Sequence, residues 1–150
     1  MIEENGYTGR QCDRCGLIFV SPRPSEAEME SMYAEGHAYL SADFFVANAE
    51  FPAVRIHAKR EVQRLRRYVE QGSVLELGPG RGTFLAAARD AGFDVYGVEL
   101  NPKQAAFIRQ RGIACVSSLD DVADLGAEHF DVIYHCSVLS HFYDPLAEFR

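Results

Sequence analysis

The residues best placed to do chemistry are three glycines and two carboxylates. Gly78, Gly80 and Gly82 follow the apolar run Val74-Leu75-Glu76-Leu77, and Thr83-Phe84-Leu85 opens a helical pattern behind them. The stretch reads as a buried strand, a sharp bend free of side chains, and a helix start. Glu76 stands two residues before the first glycine, and Glu99 stands 21 residues after it, at the end of a second apolar run, Val95-Tyr96-Gly97-Val98. Glycine takes the positive φ values of such a bend at little cost. The first amides of a helix lack partners within it and favour a carboxylate or a phosphate. An acid at the end of the next strand accepts hydrogen bonds from a ribose diol. Together these are the parts of a site for a nucleoside-bearing cofactor.

The spacing narrows the cofactor. A dinucleotide site of the form G-x-G-x-x-G, counted from Gly78, needs glycine at 83, where Thr83 stands. That departure holds down an NAD-dependent oxidoreductase. With Glu76 ahead of it, the series Gly78-x-Gly80-x-Gly82 closely resembles the first motif of the class I S-adenosylmethionine (SAM)-dependent methyltransferases. Phe130-Asp131-Val132-Ile133-Tyr134 resembles that family's fourth strand. Val138-Leu139-Ser140-His141-Phe142-Tyr143-Asp144-Pro145 resembles the segment after it, with Ser140 where many members carry Glu. The likeness spans roughly residues 70 to 150 and is to members that act on small molecules.

The resemblance implies an α/β, Rossmann-like parallel sheet with helices on both faces and strand order 3-2-1-4. It implies methyl transfer from SAM to an O, N or C nucleophile of a small-molecule acceptor, with S-adenosylhomocysteine (SAH) as product. Gly78, Pro79, Gly80 and Gly82 would line the amino-acid end of the cofactor, with Glu76 beneath them reaching its ammonium through water. Glu99 would hold the ribose, Leu100 would flank the adenine, and Ser118 and Leu119 would meet its edge. His135 and His141 follow the fourth strand, at the edge where such sheets bind ligands, and either titrates in the range useful to a general base. His135 is a candidate for cofactor contact as well, and Tyr134, Ser137 and Tyr143 are further candidates for the pocket wall. The alternative function is a non-catalytic SAM-binding or interaction module on the same fold, which Ser140 and a short sheet favour.

Positioning these residues requires a particular order of elements. A helix over about 54–70 carries Val54, Ala58, Val62, Leu65 and Val69 on one stripe, with Lys59, Arg60, Arg64, Arg66 and Arg67 mostly opposite, as a solvated face. Strands are expected at 74–77, 94–98, 113–117 and 130–136. Helices are expected at about 82–91 and from Asn101-Pro102, an N-cap followed by proline, to Gly112. A turn or two of helix is expected between Asp120 and Leu125, and a last helix opens at Asp144-Pro145. Alternation of this kind gives a parallel sheet with right-handed crossovers. The family's sheet continues past a fourth strand, so the expectation is a fragment of a longer protein or a partner over the open edge.

Residues 1–53 are expected as an N-terminal hairpin and cap segment, mostly helical, and 54–150 as the incomplete cofactor domain. Within the cap, Leu17–Val20 is a strand candidate stopped by Pro22 and Pro24. Ser25 and Glu28 form a capping box for a helix over 26–35 with Met29, Met32 and Tyr33 on one side. Residues 37–53 are aromatic and read equally as a packed loop or a lid. Cys12-Asp13-Arg14-Cys15-Gly16 has the shape of one zinc knuckle and, with the residues through Ser25, resembles the end of a small zinc-binding segment that precedes the domain in some members of the family. No second pair completes four ligands, so a degenerate or truncated hairpin is expected there and zinc is not.

Composition sets the outer bounds. A chain of 150 residues with 47% apolar content can fill one core, and no run of 18 apolar residues exists. A net charge of −7 weighs against nucleic acid as a partner. Glu3 and Glu4 have the wrong sign for a secretory leader, so a cytoplasmic protein with reduced thiols is expected. Cys115 and Cys136 are expected as small buried hydrophobes inside the sheet.

Overall fold

A computed structural model of the chain describes residues 2–4, 6–34, 51–126 and 129–148. The chain separates into two compact units, Met1–Ser31 and Met32–Arg150. Most of the aromatic stretch over 37–53, read as loop or lid, lies outside the described residues, as do the side chains of Met32 and Tyr33.

The first unit carries a three-stranded antiparallel sheet, β1 (Ile2–Glu4), β2 (Tyr7–Gln11) and β3 (Ile18–Val20), in that order. This corrects the mostly helical cap expected for the segment. Thr8, Tyr7 and the short polar run before them lack the apolar alternation that marks a strand, so their pairing comes from the hairpin and not from a pattern. The turn between β2 and β3 holds Cys12 and Cys15. Gly16 closes it at φ +75°, donating to the Cys12 carbonyl at 2.9 Å, while the Cys12 amide reaches the Leu17 carbonyl at 2.8 Å. The Cys12 thiol is drawn below its usual range by the Arg14 amide, then by the amide and thiol of Cys15. Among the described residues no group of three or more His, Cys, Asp or Glu side chains can hold a metal. Helix α1 (Glu26–Ala34) starts with the reciprocal cap expected of it. The Ser25 amide donates to Glu28 Oε2 at 2.8 Å, and the Glu28 amide returns to Ser25 Oγ at 3.3 Å.

The second unit is built on four parallel strands, β4 (Ser73–Leu77), β5 (Asp94–Val98), β6 (Ala114–Val116) and β7 (Val132–His135). Their order across the sheet is β6-β5-β4-β7, which is the expected 3-2-1-4. Helices α2 (Pro52–Leu65), α3 (Thr83–Asp90), α4 (Pro102–Gln110) and the short α5 (Pro145–Glu148) alternate with them. β4 sits in the middle, so Val74, Leu75, Glu76 and Leu77 are all buried, and its sequence is a continuous run and not an alternation.

Successive residues of β4 face opposite sides. Val74 belongs to the larger core, formed by Val62 of α2, Phe84, Leu85 and Ala88 of α3, and Ala105 and Ile108 of α4. Leu75 and Leu77 belong to the smaller one, with Val98, Leu125 and the flanking Phe130 and Phe142. On α2 Ala58 and Val62 are buried, Val54 and Leu65 half-buried, and Lys59, Arg60 and Arg64 exposed; the helix ends at Leu65, short of the expected 70, and Val69 lies half-buried beyond it.

At the amino edge of the sheet, Asp131 clamps the start of β4. Its Oδ2 accepts the Ser73 amide at 2.8 Å and the Ser73 hydroxyl at 3.0 Å. Cys115 is buried in β6 as expected, but Cys136 is exposed. β7 ends one residue earlier, at His135, and the chain turns away there, leaving Cys136 outside the sheet. No described helix is long and apolar enough to cross a membrane.

Candidate functional site at the carboxyl edge of the sheet

Burying a polar group without partners is costly, so buried polar residues mark places where the fold serves something else. Among the described residues they are Glu76, Thr83, Glu99, Asn101 and Gln104, and all five lie where β4 and β5 meet the helices that follow them.

The bend after β4 has Gly78, Gly80 and Gly82 all at positive φ, +65°, +56° and +64°. At two of them the absence of Cβ serves the chain's own packing. A Cβ on Gly78 would stand 2.6 Å from Val138 Cγ2, and one on Gly82 would stand 2.9 Å from Ile108 Cγ1. The amides are also used internally. Gly78 donates to the Val98 carbonyl at 2.9 Å and Gly82 to the Pro79 carbonyl at 2.8 Å. Gly80 donates to Glu99 Oε2 at 2.8 Å. The three glycine amides are therefore not offered to a ligand, contrary to the sequence expectation of a bend whose amides grip it. Gly82 is buried, Gly80 half-buried and Gly78 exposed, and the Pro79 and Val98 carbonyls and Glu99 are the acceptors these amides use.

Glu99 ends β5 and is buried. Its Oε1 accepts the Asn101 amide at 2.9 Å, its Oε2 the Gly80 amide. Burial raises its carboxyl above the usual range, against the pull of those two amides. Each carboxylate oxygen keeps further acceptor capacity. Asn101 then caps α4 through Oδ1, which accepts the Lys103 and Gln104 amides at 3.1 and 3.2 Å. So the expected N-cap is present, and it also anchors the acid.

Glu76 lies beneath the bend. The register pairs it with Gly97 on one side and Tyr134 on the other, and Gly97 pairs with Cys115. One carboxyl contact is the Leu85 amide in the first turn of α3, while Oε2 has no hydrogen-bond partner among the described residues. Burial, then the charge of Glu99, pushes this carboxyl up to about 8. Cys115 beside it is pushed up to about 11, chiefly by burial. Burial also raises the Tyr134 hydroxyl, and its ring stacks on Phe84 at 3.9 Å.

The remaining candidates sit along the same edge. Leu100 is 49% exposed directly after Glu99. Ser118 and Leu119 are half-buried beyond β6, with Ser118 Oγ accepting the Asp120 amide at 3.2 Å and Leu119 packed against the smaller core. His135 ends β7 opposite Leu77, half-buried. His141 is exposed in a 3₁₀ turn, Leu139–His141, and its amide donates to the Val138 carbonyl at 2.8 Å. Ser140 lies exposed in the same turn.

A family model described as a methyltransferase domain matches residues 52–150. The chain belongs to that methyltransferase family. The methyltransferase domain is similar in fold to the plantazolicin methyltransferase BpumL, solved in complex with SAH, at a TM-score of 0.53 and 16% identity. That match covers 79% of this chain and 50% of BpumL, so the chain spans about half the length of that structure. YjhP from E. coli matches at 20% identity and a TM-score of 0.34, over 63% of this chain and 36% of YjhP. No curated protein matches the chain.

Three residues that shape this candidate site were not singled out in the sequence. Gly97 reads there as one more member of an apolar run. A Cβ on it would stand 3.1 Å from Leu85 Cδ1, 3.2 Å from Pro79 Cγ and 3.4 Å from Cys115 Sγ, so its bareness is what lets the bend and α3 settle onto β5. A glycine inside a strand run is the signal that could have found it. Val138 and Gln104 gave no such signal. They reach Gly78 and Gly80 only through the fold, Gln104 Oε1 lying 3.4 Å from the Cβ position of Gly80.

Proposed function

We propose that this chain binds SAM at the bend after β4 and transfers its methyl group to an O, N or C nucleophile of a small-molecule acceptor, with SAH as product. The observation that carries the reading is the Gly80–Glu99 hydrogen bond, which joins the side-chain-free bend to a buried acid at the end of the neighbouring strand. The residues fit such a cofactor. Glu76 has a buried carboxyl oxygen in need of a partner, suited to the ligand's ammonium directly or through water. Glu99 has lone pairs left for two ribose hydroxyls. Leu100, Ser118 and Leu119 border the space for the adenine, and Gly78, Pro79, Gly80 and Gly82 lie along the amino-acid end.

When bound, SAM supplies an activated methyl group on its sulfonium. The chain then needs only to hold donor and acceptor in line and exclude water. His141, exposed on the turn past β7, and His135, at the strand end, would take a proton from an O or C nucleophile. His135 would also touch the cofactor.

The test is calorimetric titration of SAH into the chain, followed by transfer of labelled methyl from SAM to a panel of small hydroxyl, amine and activated-carbon acceptors. Saturable binding and transfer support the reading, and absence of SAH binding sinks it. Binding without transfer to any acceptor favours the second reading, a SAM-binding module without turnover, which the exposed Ser140 favours.

A further inference from the structure

We infer that Ser137 is a positioning residue of the donor site: its left-handed backbone seats Val138 on Gly78 and so builds one wall of the bend. The inference rests on the function proposed above. Ser137 has φ +59°, the one positive value outside glycine among the described residues. Residues with a Cβ seldom take this conformation, and β-branched ones least of all. Held at a site edge, it points to a purpose.

The geometry shows what the turn accomplishes. β4 and β7 run side by side until Leu77 pairs with His135. The two paths then part, Gly78 bending at φ +65° one residue past Leu77 and the β7 chain at Ser137, two residues past His135. The left-handed step returns Val138 to the bend. Its Cγ2, Cγ1 and Cβ come within 2.6, 3.5 and 3.7 Å of the place a Cβ on Gly78 would take. The Val138 carbonyl then accepts the His141 amide, closing the turn that carries His141. Phe142, just beyond, packs against the smaller core. The segment is therefore pinned at Val138 and at Phe142, and the turn between them takes its place relative to the bend from the Val138–Gly78 contact. The side chain of Ser137 makes a weak contact, its Oγ at 3.9 Å from Cys136 Sγ, so the backbone and not the hydroxyl is the feature in use.

SAH is the probe, titrated into the full chain well below its unfolding temperature. Ser137→Gly, which keeps the left-handed step, is expected to bind SAH within about twofold of the unaltered chain. Ser137→Val, which disfavours it, is expected to weaken SAH about tenfold or more, and Val138→Ala about fivefold. Equal affinity across all variants overturns the inference, as does equal weakening by Ser137→Gly and Ser137→Val. If Ser137→Val does not fold, Val138→Ala decides. The contact itself is tested without ligand by unfolding: adding Val138→Ala to Gly78→Ala should recover part of the stability that Gly78→Ala removes, and strictly additive losses refute the seat. An unaltered chain that binds no SAH, alongside a positive unfolding cycle, overturns the proposed function and leaves the seat standing.

Discussion

Gly80 and Glu99 lie 19 residues apart and meet through a single hydrogen bond, the Gly80 amide to Glu99 Oε2 at 2.8 Å. That bond makes the acid a structural part of the bend as well as a candidate ligand for a ribose. It also removes the Gly80 amide from any direct role in gripping a ligand.

Replacing Glu99 should therefore cost stability and affinity together. Glu99→Ala strands two amides, those of Gly80 and Asn101. Hydrogen bonds to a charged group contribute about 1.5–3 kcal/mol each. Urea unfolding should reveal a loss on that scale, and SAH affinity should fall by about tenfold or more. Glu99→Gln keeps one acceptor and turns an NH₂ toward the other amide, so it should fall between. Unchanged SAH binding in Glu99→Ala would remove the ribose assignment.

Glu76 should give the ligand-free chain an unusual pH dependence. Its folded carboxyl titrates at about 8, against 4.5 in a free chain. Between those values the folded state holds a proton that the unfolded state has released. Its contribution to stability is complete below the lower value and is lost as pH rises through the upper one, at up to about 1.4 kcal/mol per pH unit. Glu99 shifts in the same direction and adds to the slope. Unfolding free energies across this window should fall with pH, and Glu76→Gln should flatten most of the fall. A flat profile in the unaltered chain would contradict the burial of Glu76. An ammonium placed beside Glu76 would expel its proton, so the heat of SAH binding at neutral pH should vary with the ionisation enthalpy of the buffer.

Gly97→Ala tests the support of the bend from below. The new methyl would press on Leu85, Pro79 and Cys115 at 3.1–3.4 Å. Overpacking of this kind costs about 1–3 kcal/mol. Because Pro79 belongs to the bend, SAH affinity should drop as well, measured on protein that remains folded. A stable variant with unaltered affinity would show that the bend does not depend on this contact.

Gly72→Ala is the matching control at the opposite edge. Gly72 sits at φ +136°, and a Cβ there would run into the Asp131 carboxylate that holds Ser73. Strain at such a position costs about 1–3 kcal/mol. Thermal unfolding should shift down while SAH affinity of the folded chain stays unchanged. The Ser73 amide and hydroxyl hold the Asp131 carboxyl below its usual range, so this clamp contributes above the free-chain pKa and is lost on acidification, opposite in sign to Glu76. A fall in SAH affinity in Gly72→Ala would mean that the two edges are coupled.

The sequence by itself determined the α/β alternation and the two capped helices at Ser25 and Asn101, and its resemblance to a family implied the strand order. The alternation and the caps follow from local signals: continuous apolar runs, Asn-Pro and Ser-x-x-Glu. Of the N-terminal sheet only β3 was legible, from the apolar run Leu17–Val20; β1 and β2 were not, because they are short and polar and pair through a hairpin without an apolar stripe. Only the tertiary structure decided which atoms the site presents. It turned the glycine amides inward onto Val98, Glu99 and Pro79, left Glu76 Oε2 without a partner, moved Cys136 out of the sheet, and brought Val138 onto Gly78. The contacts of Gly78 with Val98 and Val138 and of Gly80 with Glu99 join residues 19 to 60 positions apart in the chain, fixed by how parallel strands align and how helices pack on them. No local pattern of residue types encodes such distances, so they become visible only once the chain is folded.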